Sequence, residues 1–341
     1  MDSPTVPRSQ GPLVQRLLSA YCKKHDLTLV LDNALGHAGY IQNRAGNRSF
    51  FVGTRFDLNA QGACELVRDK AYALEFLKRC GFSVPGGLLV SSPASRSALS
   101  KKHPNYTDAL TGFDQAISFA NKVGFPLFAK PNNGQEGRDV FKICNEGQLK
   151  LILSDLFSRH DKILLQETVY GQDLRVLVLD GDILCVIERM PPSITGDGLS
   201  SIEQLMKSEI LHSSEDPRVL ATLEERGFTL SDIPSAREKV PLLPTSNLSS
   251  GGTARIVTES LPAPLAQAAI ACGKALGLSY FGADILVDNP ASENPNYRIL
   301  ELNSAPGLSE LYRQDAKMAE IVVAIYEILF DALRYQLDAA R

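Results

Sequence analysis

Three oxygen-bearing side chains in the C-terminal third of the chain have a spacing that could bind a divalent cation. Glu301 and Asn303 lie two residues apart in an apolar, strand-like segment, and Asp284 lies in an earlier segment of the same alternating pattern. Because side chains in a strand alternate between faces, Glu301 and Asn303 project on one side while Leu300 and Leu302 face the core. If the two strands pair, three oxygens share a surface, as Mg²⁺ requires. The alternative is a solvated strand face whose acids have no chemical role.

A lysine followed by a glycine-containing loop could bind phosphate. Lys130 ends a short apolar strand, and Gly134 and Gly137 follow it in the loop. The proline after Lys130 keeps the backbone extended, and the loop could offer N–H groups to phosphate oxygens. Lys70, on a helix capped by Asp69, is a second candidate cation. Each lysine could equally be a surface residue, and the loop is not a Walker A motif.

A short connection between two predicted strands has groups that could recognise a nucleoside. Gln166, Glu167 and Val169 precede a bend at Gly171, and Asp173 follows it. Backbone groups and an acceptor in this segment could face an adenine edge, with Asp173 close to the ribose hydroxyls. A charged strand connection without a ligand is an equal alternative.

Donor groups between residues 189 and 252 could stabilise developing negative charge. Arg189 and Asn247 are suited to a transferring phosphoryl group, and Gly251 and Gly252 give flexibility beside Asn247. Taken alone, each is more simply explained as a surface residue.

Interleaved helices and strands must position these candidates. Helices are predicted at residues 13–24, 69–80, 114–123, 201–226, 265–276 and 315–337. Strands are predicted at residues 27–31, 125–130, 163–167, 174–179, 183–188, 282–287 and 297–302. Hairpins at residues 39–53 and at Asp180-Gly181 argue against an all-parallel sheet, so we expect an α+β fold with antiparallel sheets. The Ser-rich residues 91–112 are predicted to form an exposed, mobile loop.

Composition excludes several classes of protein. The chain has 341 residues, of which 44% are hydrophobic, so it can bury a large core. Its net charge is −4 and its basic residues form no run, so a nucleic-acid partner is not expected. Six separated cysteines fit a reducing cytosol. The polar first dozen residues argue against a signal peptide, and charges interrupt the apolar stretch 318–337, so we expect a cytoplasmic protein without a membrane span.

In their order along the chain, these segments resemble the ATP-grasp superfamily, most closely the amide-ligase domain of cyanophycin synthetases and glutathione-synthetase-like ligases. The resemblance covers residues 59–311. It depends on an ordered set of short strings, at residues 69–70, 84–85, 125–137, 171–175, 188–189, 195–198, 216–218, 245–253, 282–284 and 301–307.

The resemblance implies a fold of two α+β subdomains with antiparallel sheets that sandwich ATP. A short N-terminal region (1–64) would precede the ATP-grasp domain (65–338), in which residues 113–170 form a mobile nucleotide-covering part and residues 171–338 the metal and substrate part. Lys70 and Lys130 would contact the phosphates, with the loop through Gly137 closing over them. Asp284, Glu301 and Asn303 would hold magnesium. Gln166 to Val169 would line the adenine pocket, and Asp173 would lie near the ribose. Arg189 and Asn247 would face the acyl phosphate.

The implied reaction is ATP-dependent ligation of a carboxylate to an amine through an acyl phosphate, with amino acids or small peptides as substrates. Two Mg²⁺ ions are expected, which Mn²⁺ could replace, and the protein could be a homodimer or homotetramer. A small-molecule kinase and a non-catalytic nucleotide-binding protein are the alternatives. Cyanophycin synthetases have a second, Mur-ligase-like domain that has no counterpart in this chain, so we expect one ligation rather than two alternating additions. Relatives commonly have a small residue where Asp139 stands, and this difference concerns how the loop through Gly137 closes.

Overall fold

The computed structural model of the protein describes residues 11–134, 137–209 and 213–339. Its α-helices are α1 (Leu13–Lys24), α2 (Gln61–Arg68), α3 (Lys70–Arg79), α4 (Pro93–Lys102), α5 (Phe113–Val123), α6 (Glu146–Phe157), α7 (Ile202–Glu209), α8 (Pro217–Glu225), α9 (Ala263–Ala275), α10 (Ser309–Gln314) and α11 (Ala316–Ala339). Its strands are β1 (Thr28–Leu31), β2 (Ala38–Gln42), β3 (Arg48–Val52), β4 (Arg55–Phe56), β5 (Gly87–Ser91), β6 (Leu127–Pro131), β7 (Phe141–Ile143), β8 (Lys162–Glu167), β9 (Gln172–Leu179), β10 (Asp182–Met190), β11 (Ser193–Thr195), β12 (Lys239–Pro241), β13 (Thr253–Ile256), β14 (Tyr280–Val287) and β15 (Tyr297–Asn303).

The N-terminal part consists of α1 and an antiparallel sheet in the order β1-β2-β3-β4. The predicted hairpin is confirmed, because Gly46 has a positive φ in the turn between β2 and β3. Leu18 and Ile41 are buried together with residues of α11, so this part shares its core with the end of the chain.

The second sheet is antiparallel, in the order β5-β8-β6-β7. One face packs on α5 and α6 through a core that includes Leu127, Ala129, Leu149 and Leu165. The opposite face has Gln166, which pairs in register with Phe128 on β6.

The third and largest sheet is antiparallel, in the order β13-β10-β9-β14-β15. The predicted Asp180-Gly181 hairpin is confirmed, with positive φ at both residues. One face packs on α9 through Leu174 and Ile285, among other residues. The other face packs on α11 at one end of the strands and is charged at the other end.

Three sequence predictions about elements were wrong. Residues 91–112 are not a loop: the Ser92 hydroxyl accepts from the Ser95 N–H and caps α4, and a 3₁₀ helix (Pro104–Ala109) follows. Residues 201–226 form two helices, because Asp216 caps α8 and Pro217 starts it; residues 210–212 lie outside the described ranges. Leu300 is only half-buried, since a bulge places it between the paired residues Ile299 and Glu301.

The predicted α+β class with antiparallel sheets is confirmed. Within the described ranges, no helix has the length and apolarity needed to cross a membrane. The predicted absence of a signal peptide concerns mainly residues 1–10, which lie outside those ranges. The division into subdomains stays a prediction, although the second sheet begins at Gly87, before the predicted boundary at residue 113.

Candidate active site

A charged surface occupies one end of the large sheet, on the face that packs on α11 at its other end. Asp284 stands opposite Glu301 on one side and opposite Arg175 on the other. Asp173 stands opposite Arg189 on the neighbouring pair of strands. Strand register therefore places these five side chains on one surface, as alternation predicted for Asp284 and Glu301.

Two arginines hold the carboxylate of Asp284. Arg175 donates from Nε and Nη2 to its two oxygens, each at 2.7 Å, and Arg189 Nη2 lies 3.1 Å from Oδ2. Asp284 is only 3% exposed. Burial alone would raise the pKa of this carboxyl, but the charges of Arg175 and Arg189 outweigh it and hold the pKa well below its usual range.

Arg189 also binds Asp173 and so connects two carboxylates. Its Nη2 and Nε donate to Asp173 Oδ1 at 2.6 and 3.2 Å. Burial would lower the pKa of Arg189, but Asp284 and Asp173 raise it above its ordinary value, so the guanidinium stays charged. The predicted contact of Asp173 with a ribose would therefore have to be shared with Arg189.

The phosphate-binding candidates meet the metal-binding candidates at Lys70. Its ammonium donates to the carbonyl of Gly134 at 2.7 Å and lies 3.3 Å from Glu301 Oε2. Asn303 Nδ2 donates to the other oxygen of Glu301 at 3.2 Å. Burial would raise the pKa of Glu301, but the charges of Lys70, Lys130 and Arg175 together outweigh it, and the pKa lies below its ordinary value.

Lys130 is the second cation of this site and is half-buried. Burial lowers the pKa of its ammonium; the charge of Glu301 opposes this shift and that of Lys70 adds to it. Together, Asp173, Asp284 and Glu301 face the four cations Lys70, Lys130, Arg175 and Arg189, an excess of one positive charge that favours an anionic ligand.

Asn132 brings the start of α3 to the end of β6. Its side-chain Oδ1 accepts from the Ala71 N–H at 3.0 Å, and its carbonyl accepts from the Lys70 N–H at 3.3 Å. The side chain is buried, so it fixes the two lysine-bearing elements relative to each other. Sequence reasoning did not assign Asn132 a role; its position two residues after Lys130 was the available signal.

The loop after β6 meets the segment before β13. A Cβ atom at Gly137 would lie 2.1 Å from Asn247 Nδ2, so only glycine fits there. Gly251 has a φ of +82°, and a Cβ at Gly252 would lie 2.8 Å from the carbonyls of Asn247 and Met190. The predicted catalytic segment thus lies beside both the phosphate loop and the end of β10; residues 135–136 of that loop lie outside the described ranges.

The side chains of Gln166 and Glu167, both candidates for contact with the nucleoside, lie on opposite sides of β8. Gln166 is buried on the face of the second sheet opposite α5 and α6. The Glu167 carboxylate accepts from the Gly86 N–H at 2.8 Å, on the other side of the strand. Val169 is half-buried in the connection to β9. Any role of Glu167 at an adenine edge would therefore belong to its backbone.

Arg175 is the ion-pairing residue that sequence reasoning left without a role. It stands two residues after Asp173 on a strand, so it shares the face of Asp173. A buried carboxylate such as Asp284 needs a partner of opposite charge, and this requirement was the signal that could have found it.

The oxygen atoms on this surface fit Mg²⁺ in part. Glu301 and Asn303 offer a carboxylate and an amide oxygen on one surface, which suits a hard cation that takes its other ligands from phosphate and water. Asp284 faces the same surface, but both of its oxygens accept from arginine. Among the described residues, no group of three or more His, Cys, Asp or Glu side chains could hold a metal.

The amino-acid sequence of the chain is similar to parts of larger, named proteins. The chain is 29% identical over 262 residues to a cyanophycin synthetase of Geminocystis herdmanii, covering 71% of this chain and 28% of that protein. It is 26% identical over 271 residues to the glutathione biosynthesis bifunctional protein GshAB of Streptococcus agalactiae, covering 72% of this chain and 36% of that protein. The chain therefore spans about a third or less of the length of these relatives.

Structural comparison gives the same fold. A bifunctional glutathione synthetase from Pasteurella multocida superposes with a TM-score of 0.54 at 17% identity, covering 92% of this chain and 44% of that one. Residues 68–222 match the sequence profile of the RimK-like ATP-grasp domain. The protein thus has the ATP-grasp fold, and its residues 68–222 are similar to a RimK-like ATP-grasp domain.

Proposed function

We propose that the protein is an ATP- and Mg²⁺-dependent ligase that joins a carboxylate to an amine, with amino acids or small peptides as substrates. The observation that carries this proposal is the cluster in which Lys70 and Lys130 meet Glu301 and Asn303 beside Arg189. Such a surface combines cations for phosphate with oxygens for a metal. Relatives named for the synthesis of cyanophycin and glutathione support ligation as its use.

The residues of this cluster would have separate roles in binding phosphate, metal and the acyl phosphate. Lys70 and Lys130 would bind and orient the phosphates, and Glu301 and Asn303, with Asp284, would hold magnesium, which supplies charge neutralisation when bound. Arg189 would hold Asp173 and Asp284 in place and face the developing charge. The Asn247–Gly252 segment would donate to the acyl phosphate and limit access of water.

The proposed reaction has two balanced steps. An oxygen of the substrate carboxylate attacks the γ-phosphorus of ATP, and the bond from that phosphorus to the bridging oxygen breaks, so an acyl phosphate and ADP form. The amine nitrogen then attacks the acyl carbon, inorganic phosphate leaves, and the amine loses a proton. The described residues favour positioning and charge stabilisation over covalent catalysis.

A screen of amino-acid pairs with ATP and Mg²⁺, read by mass spectrometry, tests the proposal. We expect release of ADP and phosphate that requires both a carboxylate and an amine, together with a product that has lost one water. With an ¹⁸O-labelled carboxylate, one ¹⁸O atom should enter the released phosphate. A stable phosphorylated product formed without an amine would identify a kinase instead, and ADP binding without turnover across the screen would identify a nucleotide-binding protein.

We also propose the metal ions, the cellular location and the oligomeric state of the protein. Two magnesium ions, with Mn²⁺ as a replacement, would fit the shared phosphate-metal surface. A cytoplasmic location would fit the free cysteines, three of which are buried: Cys22, Cys185 and Cys272. The protein would form a homodimer or a homotetramer, and a measurement of its molar mass in solution would distinguish the two.

A further inference from the structure

The outer face of the N-terminal sheet is apolar and is not covered by any described part of the chain. Side chains alternate along its strands, so the inner residues, such as Ile41 and Phe51, pack in the core with α1 and α11. The residues between them point away from that core, and Phe50 is 61% exposed, Val52 45% and Val30 38%. Single exposed apolar side chains are normal on a protein surface, but a contiguous group of them marks a site of interaction.

Strand register arranges the outward side chains of this face in three rows across the sheet. From one end of the strands to the other, the rows are Thr28-Gln42-Arg48, Val30-Tyr40-Phe50 and Asp32-Ala38-Val52-Arg55. The first row is polar. The middle row is mainly apolar, and the ring centres of Tyr40 and Phe50 lie 5.4 Å apart. The third row is apolar at its centre and has charges of opposite sign at its two ends.

Asp32 and Arg55 carry the charges at the ends of the third row. Asp32 follows β1 at one edge of the sheet and Arg55 lies on β4 at the other edge, three strand spacings or about 14 Å away. The N–H groups of Ala34, Leu35 and Ala38 donate to the Asp32 carboxylate at 3.1, 2.9 and 2.8 Å and so fix its position. Within the described ranges, neither Asp32 nor Arg55 has an ion-pair partner. Each end of the row can therefore pair with an opposite charge from another molecule.

A second copy of the same face supplies both of these charges. In a symmetric dimer one surface meets itself, and a two-fold axis parallel to the strands places the β1 edge of one copy over the β4 edge of the other. Asp32 of each copy then meets Arg55 of the other, and Tyr40 meets Phe50. A two-fold axis across the strands would instead set the polar row against the third row and would leave both charges without a partner. Charge complementarity therefore favours the first arrangement.

The size of the face sets the expected strength of the contact. Four strands of about five residues cover about 19 by 17 Å, so two copies would bury roughly 1,000 Å² in total. This area lies near the lower end of the range for specific interfaces, which favours a reversible dimer. Phe50 lies at the centre of the apolar part, where aromatic side chains contribute most to binding.

We propose that two copies of the protein associate through the outer face of the N-terminal sheet, with Asp32 of each copy paired with Arg55 of the other. This inference assigns a surface to the homo-oligomer proposed above. It rests on that part of the proposed function alone and does not depend on the ligase reaction.

Analytical ultracentrifugation of the full chain over a range of concentrations tests the surface. We expect the mass of two chains at about 200 µM and a fall toward the mass of one chain below about 1 µM. Phe50→Glu should weaken association by about a hundredfold, because it places a charge at the centre of an apolar contact. Leu151→Glu, the same kind of change at a position of α6 that is 73% exposed, should leave association as it is.

Two charge changes test how the copies are oriented. Asp32→Lys and Arg55→Glu should each weaken self-association by about tenfold or more, because like charges then meet at both ends of the row. An equimolar mixture of the two variants should form a mixed dimer, since each of its two contacts again joins opposite charges. Native mass spectrometry distinguishes this mixed dimer from a dimer of either variant.

Three results would overturn the proposal. They are a single-chain mass of the unmodified protein at about 200 µM, unchanged association of Phe50→Glu, and a mixture of the charge variants that contains no mixed dimer. Thermal unfolding shows whether Asp32→Lys is folded without its backbone hydrogen bonds, and the Phe50→Glu arm does not depend on that variant. Calorimetric titration of the same samples with ADP and Mg²⁺ tests the ligase function separately: absence of binding would count against that function, whereas the measured masses would still decide the dimer.

Discussion

Glu301 is the residue at which the proposed phosphate site and the proposed metal site meet. One of its oxygens lies 3.3 Å from the Lys70 ammonium and the other accepts from Asn303. Glu301→Gln keeps the shape of the side chain but removes the charge that balances Lys70 and would attract a cation. We expect turnover to fall by roughly two or more orders of magnitude with the fold intact, measured by ADP release and circular dichroism.

Glu310→Gln is the matched control for this variant. Glu310 is a surface carboxylate on α10 that pairs with Arg313, and its change should leave turnover near that of the unmodified protein. Near-normal activity of Glu301→Gln would contradict the metal-binding assignment.

Asp284 makes stability depend on pH. Its carboxylate is buried against Arg175 and Arg189, whose charges lower its pKa. A depressed folded-state pKa contributes stability that is fully present above the unfolded value of about 3.9 and is lost as pH falls through the folded pKa. Asp284→Asn should lower the unfolding free energy by about 3 kcal/mol at neutral pH.

Urea unfolding from about pH 7 to about pH 2 tests this prediction. The difference in stability between Asp284→Asn and the unmodified protein should shrink toward the acidic end, because below about pH 3.9 the unfolded chain takes up a proton at Asp284 that the folded protein does not. Glu65→Gln, a surface change on α2, should give a curve parallel to that of the unmodified protein. Parallel curves for Asp284→Asn would contradict the assigned ion pair.

Residue types and strand alternation were enough to predict one surface for Asp284, Glu301 and Asn303, whereas only the resemblance to the ATP-grasp superfamily connected Lys70 with them. They could not assign Arg175 to Asp284, because which cation meets which carboxylate depends on the register between β9 and β14. They also left the direction of Glu167 open, since its carboxylate binds Gly86, a residue 81 positions earlier.

Among the secondary-structure elements, the contact between β7 and α8 connects the second sheet to the helices inserted after β11. Lys142 Nζ lies 2.5 Å from Glu225 Oε1 and 5.5 Å from the centre of the Tyr170 ring. The Lys142 side chain is 11% exposed, so water weakens this ion pair less than a surface pair. We expect a coupling energy of about 1 kcal/mol between Lys142→Met and Glu225→Gln, measured by urea unfolding of both single variants and the double variant.

The pair Lys150 and Glu146 on α6 provides the control. Its atoms lie 2.7 Å apart but both side chains are about half exposed, so the same double-mutant cycle should give about 0.4 kcal/mol. Equal coupling in the two pairs would show that the contact between β7 and α8 adds nothing beyond an exposed ion pair.

The elements that alternation and caps define clearly were predicted well, such as α1, α5 and the hairpin at Asp180-Gly181. Residues 91–112 were misread because small polar residues are typical of loops, whereas here Ser92 and Pro93 start a helix with no buried side chain. Leu300 was misread because alternation assumes an unbroken strand, and a bulge shows itself only when the partner strand is known.

At the scale of the whole molecule, the N-terminal part shares a hydrophobic core with the large sheet. Leu18 on α1 and Phe51 on β3 pack in one cluster with Leu329 on α11 and Leu177 on β9. Asn43 and Asn47, at the turn of the N-terminal hairpin, both donate to the carbonyl of Leu337 near the end of α11. The second sheet has a separate core with α5 and α6.

This division of cores predicts which parts of the chain unfold together. Leu18 is fully buried, so Leu18→Ala should cost about 3 kcal/mol, whereas Leu35→Ala, at a position that is 74% exposed, should cost less than about 0.5 kcal/mol. In hydrogen exchange, Leu18→Ala should reduce protection of α1, α11 and β9 by the same amount, because they share one cooperative core, and should reduce that of α5 and α6 less. If protection fell only in α1 and the N-terminal sheet, residues 13–56 would be an independent unit, and the charged end of β9 would not depend on them for its support.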